Sequence, residues 1–162
     1  QYMVDGVEVE PFKLKSSDGV IFPDGSCIHG LWECLARAAW CLAQKRPSGE
    51  WATISGNIHR GFRQTAACVE HSAAYWSCVV VDGPCQLKPD CSGVVQCHKR
   101  GPLFSRSGNR PMAGLYTKMM HEPDGSQLFF RSEVSKTKAH KDIAAITTVP
   151  TVWTTVGNIF FT

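Results

Sequence analysis

Apolar residues between positions 29 and 46 recur every three or four residues, which is the period of an amphipathic helix. The repeating apolar set is Leu31, Leu35, Ala38, Ala39 and Leu42. The stretch "RPSG" at 46–49 ends this pattern with a proline and a glycine. A second helix is predicted within 63–75, where alanines favour the helical state.

Alternating and β-branched runs predict strands in the rest of the chain. The predicted strands are "VDGVEVEPF" (4–12, an edge strand), "EWATISG" (50–56), "WSCVVV" (76–81), "GVVQCHK" (93–99), a hairpin of "AGLYTKMMH" and "SQLFFRSEV" (113–134), and "TVWTTVGNIFFT" (151–162). A short helix is predicted at 136–146. The sum is an α+β class: a mostly antiparallel four- or five-stranded sheet packed against two helices, stapled by disulfides, in one domain over 1–162.

The cysteines are even in number and confined to the first two thirds of the chain. They are Cys27, Cys34, Cys41, Cys68, Cys78, Cys85, Cys91 and Cys97. An even set of this kind indicates up to four disulfides, with 105 possible pairings, and an oxidising compartment. A chain that begins at Gln1 without an initiator methionine is typical of a processed product. We therefore expect a secreted, extracellular protein.

Cys34 and Cys41 would lie on one stripe of the predicted first helix, two turns and about 10.5 Å apart. Disulfide-bonded Cα atoms lie within about 7 Å, so each of these cysteines must pair elsewhere in the chain. Zinc is the weaker interpretation, because structural zinc sites use Cys-x2–4-Cys pairs and none is present. No metal or cofactor is predicted.

Motifs for catalysis are sparse. The Gly-x-Ser-x-Gly elbow, the P-loop and the dinucleotide-binding glycine motif are absent. A ribonuclease-like set can be drawn from His59, Arg60, Glu70 and His71, since histidines and a carboxylate perform acid–base chemistry and an arginine holds phosphate. Nothing in the spacing of these residues requires that role, so the main prediction is a protein without enzymatic activity.

Positive charge is concentrated in one part of the chain. Residues 99–118 contain five lysines and arginines and no acid, and "KTKAHK" follows at 136–141. Such clusters can attract phosphate, but solvated loops are the simpler interpretation, and nucleic acid is an unlikely partner. No apolar run reaches the roughly 18–20 residues of a membrane span, so membrane insertion is not expected.

The stretch "LFFRS" at 128–132 combines aromatic residues with arginine, a composition that interfaces favour. The candidate interaction surface is Phe129, Phe130, Arg131 and Ser132. Within it, Phe130, Arg131 and Ser132 resemble the second half of a short Trp-Arg-hydrophobic-Arg-Ser/Lys motif. That motif is found in the Leptosphaeria avirulence-and-suppressing effectors of plant-pathogenic Dothideomycete fungi. The resemblance implies a disulfide-stapled four-stranded antiparallel sheet on helices, and a non-catalytic protein recognised by plant resistance proteins.

The resulting prediction is a secreted pathogen effector that acts through contacts with a host protein, such as a plant receptor or resistance protein. Two alternatives remain open. One is a secreted ribonuclease-like toxin that uses the histidine set. The other is a carbohydrate-binding module that uses exposed tryptophans, the candidates being Trp32, Trp40, Trp51, Trp76 and Trp153.

Overall fold

The computed structural model of the chain describes residues 1–28, 36–59, 61–122 and 125–137. The strands in these residues are β1 (Tyr2–Val4), β2 (Val7–Glu8), β3 (Ile21–Ile28), β4 (Arg37–Lys45), β5 (Trp51–Asn57), β6 (Gln86–Leu87) and β7 (Glu133–Val134). The α-helices are α1 (Ala66–Val80), α2 (Ser92–Ser105), α3 (Ala113–His121) and α4 (Gly125–Arg131). Across these ranges, no helix combines the length and the apolar character that a bilayer crossing requires.

All seven strands form one mixed sheet in the order β2-β1-β5-β4-β3-β6-β7. The first five are antiparallel neighbours, whereas β6 pairs with β3, and β7 with β6, in parallel. Parallel neighbours need a long connection: β4, β5 and α1 lie between β3 and β6 along the chain, and α2, α3 and α4 lie between β6 and β7. The α+β prediction is confirmed, but the sheet is larger than predicted and has a parallel part.

Helix α1 packs across β3 and β4 on one face of the sheet. It begins at a threonine cap, where the Thr65 hydroxyl accepts a hydrogen bond from the Cys68 N–H at 3.2 Å. Trp76 of the helix stacks on Trp40 of β4, with ring centroids 4.9 Å apart and an angle of 13° between the rings. Small residues such as Ala73, which is fully buried, let the helix approach the sheet closely.

The predicted first helix is wrong over the part of 29–46 that the structure describes. Residues 37–45 form β4, an inner strand between β3 and β5. Side chains from Trp40 to Gln44 are all buried, because both faces of this strand are covered. A strand buried on both faces loses its polar alternation, and its apolar run then matches a helical pattern. Residues 29–35 lie outside the described part of the chain.

Three of the strand predictions are also wrong. Residues 76–80 end α1, residues 93–99 lie in α2, and the expected hairpin at 113–134 is replaced by α3 and α4 with only the short strand β7. In α3 the buried side chains are Leu115, Tyr116 and Met119, a helical spacing. The predicted strand at 50–56 and the edge strand within 4–12 are confirmed by β5 and by the β1–β2 hairpin. The predictions at 138–162 fall outside the described residues.

The predicted disulfides are contradicted. All seven cysteines in the described residues, a set that excludes Cys34, are free thiols. Five of them are buried: Cys41, Cys68, Cys78, Cys85 and Cys97. They lie on different elements and act as small apolar core residues, which is a common environment for cysteine. The predicted extracellular location depends on the same cysteine count and stays a prediction.

A thiol titration tests the correction. We expect protein purified without reductant and unfolded in guanidinium chloride to react with at least seven equivalents of a thiol reagent, because seven cysteines are unpaired. A matched sample treated with a phosphine reductant is the control and should give the same count within one equivalent. A gain of four or more thiols on reduction would contradict this correction and support the predicted disulfides.

Gly25 of β3 marks the closest approach of α1 to the sheet. An added Cβ would lie 1.9 Å from Cγ1 of Val69 and 3.1 Å from the backbone nitrogen of Glu70. We therefore expect Gly25→Ala to lower the free energy of unfolding by about 3 kcal/mol, since the helix must move away from the strand. Urea unfolding followed by circular dichroism measures this change.

Gly114→Ala is the matched control for that substitution. Gly114 lies in α3 and an added Cβ there meets nothing within 4 Å. The substitution should stabilise the protein by about 0.5–1 kcal/mol, because alanine favours the helix. Equal stabilities of the two variants would contradict the tight packing at Gly25.

Candidate metal centre

Two aspartates come to the same place because two strands are parallel. Ile21 of β3 pairs with Leu87 of β6. Asp24 lies three residues beyond Ile21, and Asp90 lies three residues beyond Leu87. Parallel chains that leave one pairing point travel side by side, so both carboxylates reach the same end of the β3–β6 pair.

Glu70 joins the two aspartates from above the sheet. It lies on α1, directly after Val69, at the point where the helix rests on Gly25. The ligand oxygens of Asp24, Glu70 and Asp90 all lie within 4.8 Å of one another, and all three side chains are partly buried. The three come from a strand, a helix and the loop that leads into a second helix, so the fold assembles a site that no single segment contains.

Electrostatics within the cluster favour binding of a cation. Burial is the largest cause that raises the pKa of Glu70, and the charges of Asp90 and Asp24 add to it, so that the pKa reaches about 8. Oε2 of Glu70 is buried without a hydrogen-bond partner among the described residues. Oδ1 of Asp24 accepts a hydrogen bond from the Gly25 N–H at 2.8 Å. A buried orphan oxygen amid three carboxylates suits a hard divalent cation such as Mg²⁺ or Mn²⁺.

Cys41 lies beside this cluster but differs from it in chemistry. It pairs with Asp24 across the β3–β4 ladder, so the two side chains lie on the same face of the sheet. Burial, followed by the nearby charge of Asp24, raises the pKa of the Cys41 thiol to about 12. The thiol therefore stays protonated at neutral pH, and it is neither a disulfide partner nor an activated nucleophile.

The ribonuclease-like set predicted from sequence is only partly brought together. Glu70 belongs to the acidic cluster. His59 is exposed in the loop before α1 and accepts a hydrogen bond from the Gly61 N–H at 3.1 Å, whereas Arg60 lies outside the described residues. His71 is buried and bonded to the Tyr116 hydroxyl, and burial, with a contribution from Arg110, lowers its pKa to about 4.

Sequence reasoning missed Asp24 and Asp90. Both follow a proline, in "FPDGS" and "KPDCS", and Pro-Asp and Asp-Gly pairs are typical of turns and not of metal ligands. Asp24 follows an apolar pair on its own strand, Ile21–Phe22, but the strand before Asp90 is only Gln86–Leu87 and gives no comparable signal. No spacing in the sequence links the two residues, since they meet only through the β3–β6 pairing.

The candidate interaction surface lies mostly inside the protein. Phe129 is 1% exposed, and Ser132 is buried, with its hydroxyl donating to the Leu128 carbonyl at 2.6 Å. Phe130 is half-buried and stacks on His98, so only Arg131 is exposed. The cause is that α4 turns its aromatic residues toward α1 and α2. A partner could reach the arginine but not the buried members of this set.

The tryptophans expected to bind sugar are also engaged in packing. Trp40 is buried, while Trp51 and Trp76 are half-buried and contact Phe22 and Trp40 respectively. Trp32 and Trp153 lie outside the described residues. The described tryptophans therefore offer no open aromatic platform.

A basic surface extends from the second half of α2 to α3. Its cations are Lys99, Arg100, Arg106, Arg110 and Lys118. All except Arg110, which is half-buried, are exposed. The guanidinium carbons of Arg100 and Arg110 lie 4.4 and 3.9 Å from the centre of the Phe104 ring. These two cation–π contacts help to order the loop between α2 and α3. The predicted solvated loops are confirmed in exposure but not in backbone structure, since most of this stretch lies in α2 and α3.

Solved structures share the overall fold of this chain. A foamy viral protease–reverse transcriptase in complex with an RNA/DNA hybrid matches with a TM-score of 0.56 over 86% of this chain, at 14% identity. The chain spans 20% of that protein's length. The solution structure of the PFV RNase H domain matches at 0.50 with 17% identity, over 88% of both chains. RNase H1 from the halophilic archaeon Halobacterium salinarum matches at 0.50 with 11% identity, over 74% of this chain and 85% of that one.

The chain has the ribonuclease H fold. Identities of 11–17% establish the fold and nothing finer. No protein-family model matches the sequence, and no curated protein matches it.

The fold and the acidic cluster overturn the predicted function. A non-catalytic effector is contradicted because the structural neighbours are ribonuclease H domains and because three carboxylates converge. The exclusion of nucleic acid as a partner is contradicted by the same neighbours, one of which was solved with an RNA/DNA hybrid. The ribonuclease-like alternative is closer, although the cluster that the fold brings together consists of acidic residues and not of histidines.

The raised pKa of Glu70 predicts a pH-dependent stability in the absence of divalent cations. The folded protein keeps a proton that the unfolded chain releases above pH 4.5, so stability falls as the pH rises from about 4.5 to 8. Glu70→Gln cannot ionise and should raise the free energy of unfolding by about 1–3 kcal/mol at pH 8, after allowance for partial solvent screening. At pH 5 the gain should be close to zero.

Thermal unfolding in EDTA at pH 5 and pH 8 measures this difference. His71 is present in the wild type and in each variant, so its contribution to the pH dependence of stability cancels in the comparison. Glu8→Gln is the matched control, because Glu8 is exposed on β2 at the far edge of the sheet. A Glu70→Gln variant less stable than the wild type at pH 8 would contradict the repulsion within the cluster.

Proposed function

We propose that this chain is a divalent-cation-dependent nuclease that hydrolyses the RNA strand of an RNA/DNA hybrid. The observation that carries the proposal is the convergence of Asp24, Glu70 and Asp90 from three separate elements onto one site. The likeness to ribonuclease H domains supports it, as does the foamy viral protein solved with an RNA/DNA hybrid. Phosphodiester hydrolysis at acidic clusters generally requires a bound cation, and this cluster has the matching oxygen donors.

Asp24, Glu70 and Asp90 are the residues that would hold the cation. When bound, a divalent cation supplies Lewis-acid activation of the phosphodiester and of a water molecule. Without it, three carboxylates repel a phosphate group, so the cluster alone cannot bind the scissile bond. The hydrogen bond from the Gly25 N–H restrains the Asp24 carboxylate, and the parallel β3–β6 pairing positions Asp90 beside it.

The basic surface supplies a second reason to propose a nucleic-acid substrate. Helix α2 begins two residues after Asp90 and runs to Arg100, and a kink at Gly101, where φ is 80°, separates this part from the last turn before Arg106. The nine residues before the kink span about 13 Å, which corresponds to roughly four base pairs of a duplex. A duplex with its scissile phosphate at the acidic cluster could therefore place a distant phosphate near the exposed cations, which bind backbone phosphates without reading sequence.

Cleavage of labelled duplexes tests the proposal. In Mg²⁺ or Mn²⁺ we expect the purified chain to cut the RNA strand of an RNA/DNA hybrid, and to leave duplex DNA of the same sequence intact. Asp24→Asn and Asp90→Asn should each lower kcat/KM at least about 100-fold, because each removes a ligand charge. Excess EDTA should abolish cleavage in the wild type.

Glu8→Gln is again the matched control, since it removes an exposed carboxylate four strands away from β3 and should leave kcat/KM unchanged. Circular dichroism on every variant separates lost activity from lost folding. Cleavage that persists in EDTA, or in both folded aspartate variants, would rule out the acidic cluster as the centre.

A further inference from the structure

The first turn of α2 packs directly on the ring of His71. A Cβ added at Gly93 would lie 3.0 Å from Nε2 of His71 and 3.6 Å from its Cε1. The Cys91 sulfur lies 3.5 Å from the same point. Contacts at 3.0 Å are tighter than ordinary van der Waals packing, so a residue without a side chain is what allows α2 to come this close.

The other side of the ring is held by α3. Nδ1 of His71 and the Tyr116 hydroxyl are 2.8 Å apart, and both side chains are buried. The two rings also meet edge to face, with centroids 5.6 Å apart. A buried hydrogen bond of this kind is costly to leave unmade, so the ring has one orientation between α2 and α3.

The two segments that form the contact between Gly93 and His71 each carry a residue of the acidic cluster. His71 follows Glu70 on α1, and Gly93 lies three residues after Asp90. The distance between Glu70 and Asp90 therefore depends on the separation between α1 and the first turn of α2. A shift of His71 relative to Gly93 would change the distance between the two carboxylates.

We propose that His71, oriented by Tyr116 and seated on Gly93, is a positioning residue that sets the spacing of Glu70 and Asp90 and thereby the affinity of the cluster for a divalent cation. The inference rests on the proposed function in so far as it takes the cluster to bind a cation. Residues that orient metal ligands from outside the ligand set typically change metal affinity about 10- to 100-fold when they are replaced.

Binding of Mn²⁺ to the full chain, without nucleic acid, tests the proposal by calorimetry or by electron paramagnetic resonance of the free ion. Tyr116→Phe keeps the ring and removes the hydroxyl that holds His71. We expect its Kd for Mn²⁺ to rise about tenfold. Tyr75→Phe is the matched control: it removes a tyrosine hydroxyl that donates to Glu122 at 2.6 Å and not to His71, and it should leave the Kd unchanged.

Gly93→Ala gives a second, independent variant. Alanine favours the helical state, so a weaker Mn²⁺ affinity in this variant cannot come from a loss of helix propensity. We expect its Kd to rise by a similar factor, because the added methyl group pushes α2 away from His71. In cleavage assays both variants should need about tenfold more Mn²⁺ for half-maximal rate and recover kcat to within about twofold at saturation. A general structural defect would instead lower kcat at all Mn²⁺ concentrations.

The outcomes separate the two proposals. If the wild type binds no Mn²⁺, or if Asp24→Asn binds it equally well, the proposed function fails and the positioning role fails with it. If the wild type binds Mn²⁺ through Asp24 while folded Tyr116→Phe and Gly93→Ala bind it as tightly, only the positioning role is overturned. Should Tyr116→Phe not fold, Gly93→Ala decides the question.

Discussion

Helix α1 rests on strand β3 at a distance that the missing side chain of Gly25 permits. The contact between Gly25 and Val69 brings the backbone of Glu70 next to the strand that carries Asp24. Any larger residue at position 25 would separate the helix from the sheet and the glutamate from the aspartate. The architecture of the site therefore depends on one backbone-to-helix contact, and the stacked pair of Trp40 and Trp76 supports the same interface further along α1.

A second close contact of the same type lies on the opposite side of the helix. Gly93 lets the first turn of α2 reach His71, one residue from Glu70. Two glycines, on a strand and on a helix, thus define the position of α1 relative to both aspartates. Packing at this density transmits small displacements, because interiors are close-packed and the elements move as rigid bodies.

The charge arrangement at the cluster opposes stability. Three carboxylates within 4.8 Å repel one another, and partial burial increases that repulsion, which is why the pKa of Glu70 rises to about 8. Proteins tolerate such local conflicts at functional sites, where the rest of the fold offsets them. The buried core of α1, β3 and β4 provides that offset here. The neutral thiol of Cys41 beside Asp24 adds no further charge.

The sequence by itself determined the α+β class, the strand at 50–56, the N-terminal edge strand and the second helix. These depend on local signals: alternation, β-branched residues and a run of helix formers. The tertiary structure decided the rest, for three physical reasons. Residues 37–45 became a strand because neighbours cover both of its faces. Five cysteines of the described residues are free thiols that pack as core side chains. Asp24, Glu70 and Asp90 met because a parallel pairing and a glycine contact join segments up to 66 residues apart. Contacts of that range leave no period in the chain.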